Sequence, residues 1–195
     1  VLQDTHRTSV TGMTGELGSA VTGSPNLNLT TGSIGSAVTG FTGIKNYDRW
    51  KMTSNVLGNM EPITALARNA HAEFASIGSA MTQSSGAFTF PATGIWWILF
   101  NWFGYLNGAS RNNECYINYS VNSGTNWATL SYKSVGWAHA ESSSTYGTCT
   151  VSTTFDVDDT STHMVRFAKA DTGTDSYSLS GDHATTFEFF RIGDT

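Results

Sequence analysis

From Ile95 to Phe103 the chain reads Ile-Trp-Trp-Ile-Leu-Phe-Asn-Trp-Phe, apolar everywhere but at Asn101. Nine residues are too few to cross a bilayer, which takes about 18–20 apolar residues in a helix. Pro91 and Gly94 stand just before the segment and mark a turn. A strand shows successive side chains to opposite faces, so one that is apolar at odd and even positions alike needs cover on both. Two arrangements supply that cover: a central place in a sandwich, or a contact with another subunit. The rest of the chain must therefore build sheets around this strand.

It does so with a period of two from Lys45 onward. Trp50, Met52 and Ser54 alternate with Arg49, Lys51 and Thr53. Phe88-Thr89-Phe90 ends a strand at Pro91. Further strands read at Cys115–Val121, Trp127–Ser134, Thr148–Val157, Met164–Ala168, Tyr177–Leu179 and Thr185–Ile192. Between them lie turns of Gly, Asn, Asp and Ser, such as Asn122-Ser123-Gly124 and Asp171-Thr172-Gly173. Seven or eight short strands at this spacing predict an all-β sandwich. One stretch competes: Ile63, Leu66, Ala67, Ala70, Phe74 and Ile77 fall at helical spacing. The surrounding β pattern and Gly78 favour a loop with a strand over a helix here.

The first 44 residues are different in kind. Val1 to Gly43 contains no Trp, Tyr, Cys or Lys and one Phe, Phe41. Leu17-Gly18-Ser19-Ala20-Val21-Thr22-Gly23 returns as Ile34-Gly35-Ser36-Ala37-Val38-Thr39-Gly40. Two copies do not make a solenoid. The glycine triplets break register and carry one proline, Pro25, so collagen is rejected. Such a Gly/Thr/Ser-rich segment cannot build its own core and orders only against something else. Residues 1–44 are thus expected to be an extended attachment arm, and residues 45–195 a folded head.

Composition and motifs narrow the chemistry. Only 13% of residues are charged, and the net charge is −5. Nucleic acid is an unsuitable partner for such a surface, because phosphate binding needs a basic one. No membrane insertion is expected either, as no apolar run reaches spanning length. The five histidines (His6, His71, His139, His163, His183) show no metal-ligand spacing, and no Gly-x-Ser-x-Gly elbow occurs. Acidic turns such as Asp156-Val157-Asp158-Asp159 do not match the twelve-residue calcium loop, and turns favour Asp without a metal. Asp156, Asp158, Asp171 and Asp182 are the carboxylates from which a glycan-cleaving pair would have to be drawn. No catalytic residue, metal or cofactor is expected. Cys115 and Cys149 each sit on the apolar parity of a strand, which predicts two buried free thiols, with a single bridge as the alternative.

Several motifs carry a resemblance. Phe88-Thr89-Phe90-Pro91-Ala92-Thr93-Gly94-Ile95-Trp96 resembles the "Phe-x-x-Pro-x-x-Gly-x-aromatic" turn that opens a core strand in the tumour-necrosis-factor and complement globular-head jelly roll. Thr186-Phe187-Glu188-Phe189-Phe190-Arg191-Ile192 is similar to that family's closing strand. Arg49 to Thr53, Ser84 to Gly94, Phe155 to Phe167 and Arg191 to Asp194 together resemble phage structural proteins that carry this head.

The resemblance implies a jelly-roll β-sandwich head that forms a homotrimer on a virion, as a capsid decoration or a head- or tail-fibre component. It also implies docking onto other virion proteins through residues 1–44. The trimer contact would be lined by Ile95, Trp97, Leu99, Phe100 and Trp102, with Phe187 and Phe189. An alternative role is recognition of a host surface glycan or protein. Tyr105, Trp137, Tyr146 and Tyr177 lie in or beside loops and are the candidates to face such a receptor.

Overall fold

The computed structural model describes residues 43–108, 111–137, 144–173 and 175–195; residues 1–42 of the expected arm lie outside the described residues, as does His139. Twelve strands follow in chain order: β1 Asn46–Met52, β2 Val56–Leu57, β3 Leu66–Arg68, β4 Thr82–Ser84, β5 Ala87–Thr89, β6 Gly94–Leu106, β7 Asn112–Ser120, β8 Ala128–Gly136, β9 Thr145–Val157, β10 Met164–Asp171, β11 Ser176–Ser178 and β12 Thr186–Gly193. Among the described residues there is no helix. The ambiguous stretch from Ile63 to Ile77 holds β3, and Ile77 bridges to Tyr47. Local helical spacing loses there to pairing with β1.

All strand pairs are antiparallel and form two sheets. The large sheet runs β2-β11-β6-β12-β1-β3, with β9 on the other side of β6; the small sheet runs β4-β5-β10-β7-β8. Strand β6 is the axis of the large sheet, and it changes neighbour partway. Its residues 95–101 pair with β12, and residues 104–106 pair with β11. At the changeover Phe103 C=O accepts from Leu179 N–H (2.9 Å) and from the Thr185 hydroxyl (3.1 Å), and that hydroxyl accepts in turn from Phe103 N–H (3.2 Å). Gly104 is fixed by the same crossing: a Cβ there would collide with the Tyr177 carbonyl and the Trp102 ring.

The core lies between the sheets. From the large sheet, Trp96, Ile98, Phe100 and Trp102 of β6 join Phe187 and Phe189 of β12 and Val151 and Phe155 of β9. From the small sheet come Phe88, Val165, Phe167, Cys115 and Ile117. The Phe167 ring centroid lies 4.6 Å from Phe187, 5.3 Å from Phe100, 5.6 Å from Phe88 and 5.9 Å from Phe189. Burying each such ring contributes about 1.5–3 kcal/mol.

Two ionic clusters, each built on a buried carboxylate, tie the edges in. Asp48 of β1 accepts from Trp50 Nε1 (2.9 Å), Arg68 Nε (2.9 Å) and Met81 N–H (2.9 Å), joining β1, β3 and the approach to β4. Lys169 of β10 points inward and donates to Gly58 C=O (2.9 Å), Asp171 Oδ2 (2.7 Å) and Ser176 Oγ (2.5 Å). Met60 and Lys169 also exchange backbone hydrogen bonds, so the segment after β2 continues the small sheet where β5 stops. Burial lowers the Lys169 pKa, and Asp171 offsets this in part. Burial also pushes the Asp171 carboxyl up. The Lys169 and Ser176 hydrogen bonds outweigh that and hold it down to about 2.

A carboxyl held below its unfolded value stabilises the fold above the unfolded pKa, and that contribution is lost as pH falls. Stability is therefore expected to drop between about pH 4, near the unfolded carboxyl value, and pH 2. Denaturant titration at stepped pH checks this, and no loss across that window would mean that Asp171 is not paired in solution.

Candidate functional site: the outer face of the large sheet

Parity along β6 separates two sets of residues that the sequence left together. Trp96, Ile98, Phe100 and Trp102 face the core, whereas Ile95, Trp97, Leu99, Asn101, Phe103 and Tyr105 face outward. On β12, Phe187 and Phe189 face the core, while Glu188, Phe190 and Ile192 face outward. The expectation that Phe100, Trp102, Phe187 and Phe189 line a subunit contact is corrected. Each is at most 1% exposed within one chain, because the small sheet already covers it. Ile95, Trp97 and Leu99 remain on the surface, with Trp97 37% exposed.

Register places the outward residues in rows across the sheet. At one end Tyr47, Phe190, Trp97 and Thr154 stand side by side on β1, β12, β6 and β9. Tyr47 and Phe190 have centroids 4.7 Å apart, and Phe190 and Trp97 5.1 Å. The next row is Arg49, Glu188, Leu99 and Ser152, with Arg49 Nε 3.7 Å from Glu188. Burial and the Glu188 carboxylate beside it both push the Tyr47 hydroxyl pKa up. Then come Lys51, Thr186, Asn101 and Thr150, where the Thr150 hydroxyl donates to Asn101 Oδ1 (2.9 Å). The far end is aromatic again: Leu57, Tyr177, Tyr105 and Tyr146 lie in line on β2, β11, β6 and β9.

The face is thus aromatic at both ends and polar across its waist. A hollow of about 440 Å³ opens at the waist, lined by Arg49, Asn101, Phe103, Thr148, Thr150 and His183 among others. Arg49 lies over the Phe74 ring at 3.9 Å, and His71, Phe74 and His183 form a triangle of rings 5.5–5.7 Å apart beside it. Lys51 pairs with Asp182 and holds that carboxyl below the usual range.

Three of the four expected receptor-facing residues fall on this same face. Tyr105 stacks on Tyr177 (4.8 Å) and lies 5.7 Å from Tyr146, which also stacks on Phe103 at 6.0 Å. Trp137 does not join them. It packs edge-on against Trp102 at 5.6 Å, and its Nε1 is buried, so placing it outward is corrected. The four carboxylates considered for a glycan-cleaving pair have separate surroundings. Asp171 is internal, Asp182 pairs with Lys51, Asp158 with His163, and Asp156 stands opposite Ile95. Among the described residues no three His, Cys, Asp or Glu groups converge as a metal set.

The outer face of the small sheet carries a second hollow, of about 330 Å³, lined by Asn59, Glu61, Tyr116, Asn118, Thr129 and Ala168 with neighbouring backbone. Tyr116 stacks on the exposed Tyr132 (5.6 Å) and donates to Glu114. That hydrogen bond, with burial second, pushes the Tyr116 pKa up to about 12. Asn118 Oδ1 is buried with no hydrogen-bond partner. Sequence reading missed this site because its residues alternate with core positions and bear no motif.

No family model matches the chain, and no curated protein is similar to it. Solved structures are. Eiger, a tumour necrosis factor from S. frugiperda, superposes with a TM-score of 0.59 at 14% identity, over 76% of this chain and 93% of that one. Murine APRIL superposes with a TM-score of 0.56 at 8% identity, over 75% of this chain and 98% of its own. The fold is a jelly roll like that of the tumour necrosis factors.

Each aromatic contact in the Tyr177–Tyr105–Tyr146 row adds about 0.5–1.5 kcal/mol beyond burial. Tyr146 is 63% exposed. Within a head standing alone, Tyr146→Ala is expected to cost about 1–2 kcal/mol in chemical denaturation at a protein concentration low enough to keep chains apart, the loss of two ring contacts at an exposed position. No measurable loss under those conditions would mean that the aromatic row is not formed in the single head.

Proposed function

We propose that this chain is a non-enzymatic structural protein of a phage particle, a capsid decoration or a head- or tail-fibre component. Three copies pack through the outer face of the large sheet, and residues 1–44 dock the trimer onto other virion proteins. The observation that carries the trimer is the two-ended aromatic face. Trp97, Leu99 and Ile95 sit outward on the central strand, backed by Phe190 and Tyr47, in a chain with few charges to solvate a surface. Clustered exposed apolar groups mark an association surface, and cyclic symmetry lets one such face close an assembly. The polar waist gives the contact a register, since the Arg49–Glu188 pair loses water on closure and accepts only a complementary surface. The virion setting is supported by the motif set from Arg49 to Asp194 and by the composition of the arm. A non-enzymatic role is supported by the engagement of Asp171 and Asp182 in ion pairs with Lys169 and Lys51.

A second reading, recognition of a host surface glycan, is favoured by the hollow beside Tyr116. An aromatic pair, two carboxylates and an orphaned amide oxygen are groups that sugars engage by stacking and hydrogen bonding. It lies on the opposite sheet from the aromatic face, so both readings can hold for one trimer.

Light scattering of the full chain is expected to give a three-chain mass. Trp97→Asp should yield a folded monomer, because an unpaired charge is tolerated at a free surface and strongly disfavoured in a closed contact. Phe100→Asp should fail to fold, because it places the charge in the core. A wild-type monomer, or a trimer indifferent to Trp97→Asp, would refute the contact. Removal of residues 1–44 is expected to leave a folded trimer that no longer sediments with particles, and retained binding would refute docking by the arm.

A further inference from the structure

Cys115 and Cys149 come from different sheets. Cys115 is on β7 of the small sheet, and Cys149 is on β9, which pairs with β6 in the large one. Both are buried and free. Cys149 Sγ lies 3.7 Å from the carbonyl oxygen of Lys133, and Lys133 is the residue directly opposite Cys115 on β8. The two residues belong to one buried cluster, at the place where β7 and β9 come into contact. We propose that they are a site of oxidative modification, in which a disulfide oxidant closes a Cys115–Cys149 bond across the sandwich of the folded head.

The two positions are unequal, and this sets the order of events. Cys115 is fully enclosed, between Asn113, whose amide donates to its sulfur at 3.5 Å, and the neighbourhood of Lys169. Cys149 is 5% exposed and lies where β8 and β9, the outermost strands of their sheets on that side, come together. Burial pushes the Cys115 thiol well up, first among the causes. The Cys149 thiol is lowered by the Cys115 hydrogen bond, against burial, with the Lys133 ammonium also favouring its anion. The thiolate is the attacking form, and Cys149, at the seam and not wholly enclosed, is the sulfur an oxidant reaches, so it reacts first.

Its sulfur attacks one sulfur of the oxidant, a low-molecular-weight disulfide such as cystamine or oxidised glutathione. One half of the oxidant leaves as a thiolate and a mixed disulfide remains on Cys149. Cys115 then gives up its proton and attacks Cys149 Sγ, expelling the second half. Two protein thiols lose two electrons, one external disulfide becomes two thiols, and the two protons pass to them. The bond would staple the small sheet to the large one near the edge where β8 and β9 meet. Thiols that survive assembly in a reducing cell would form it after release into an oxidising exterior.

The full chain, purified with reductant and then exchanged into cystamine, tests this. The expected result is an intact mass lower by two hydrogens, with no adduct, and a cross-linked Cys115–Cys149 peptide after digestion. Closing a loop of roughly 35 residues should also raise Tm by about 10 °C relative to the reduced protein, reversibly with reductant. In Cys115→Ala, Cys149 should retain one half of the oxidant as a mixed disulfide; in Cys149→Ala, Cys115 should stay unmodified. Should either variant fail to fold, the wild-type mass and peptide map decide alone. Two thiols that remain free in the folded wild type, or bonds found only between chains, would overturn the proposal. Faster labelling of Cys115 than of Cys149 would overturn the order.

Discussion

Phe167 of the small sheet, set among Phe100, Phe187 and Phe189 of the large one, is the contact on which the head depends. An antiparallel sheet is stable only when one face is taken out of water, and here each sheet is the other's cover. Once those rings interlock, the parity of every neighbouring strand is fixed. A slip by one residue would turn Phe100 outward and Trp97 inward. The buried Asp48 and Lys169 clusters reinforce the choice, since each has partners in only one register.

The same parity delivers the outer face. Because β6 is apolar at odd as well as even positions, fixing one set in the core leaves the other facing water beside the Thr and Ser residues of β9. Its neighbours add aromatic residues at both ends and ions at the waist. The small sheet has no such stripe; its outer surface is polar, with small side chains at Ala168 and Ala170 that leave room for the hollow. The two faces of one sandwich are therefore chemically distinct, one suited to association and the other to polar ligands.

Much of this was legible in the sequence. The alternation from Trp50 to Met52, the turn at Pro91–Gly94 and the closing strand at Thr186 to Ile192 all appear where the period predicts them. What period two cannot supply is the sign of each face when both are apolar. Phe100 and Trp97 carry equal hydrophobic signal, and only the opposing Phe167 tells them apart. The Lys169 cluster was missed for a simpler reason. Reading β10 as ending at Ala168 removed the two strand positions, Lys169 and Asp171, where charges share their face with Val165 and Phe167, which was the available clue. Trp137 looked like a loop aromatic, yet Trp102 reaches across to it and draws it in.

The Thr185 hydroxyl that fills in beside Phe103 has a dynamic consequence. On one side β6 is flanked unbroken by β9, and on the other by two strands in succession that meet through the Thr185 hydroxyl and the backbone hydrogen bonds of Leu179 and Thr185. The β11 side pairs over three residues and the β12 side over a longer run, so amide protons over 176–178 are expected to exchange with solvent in a local opening that leaves 186–191 closed. A threonine marks the boundary between the part that opens easily and the part that does not.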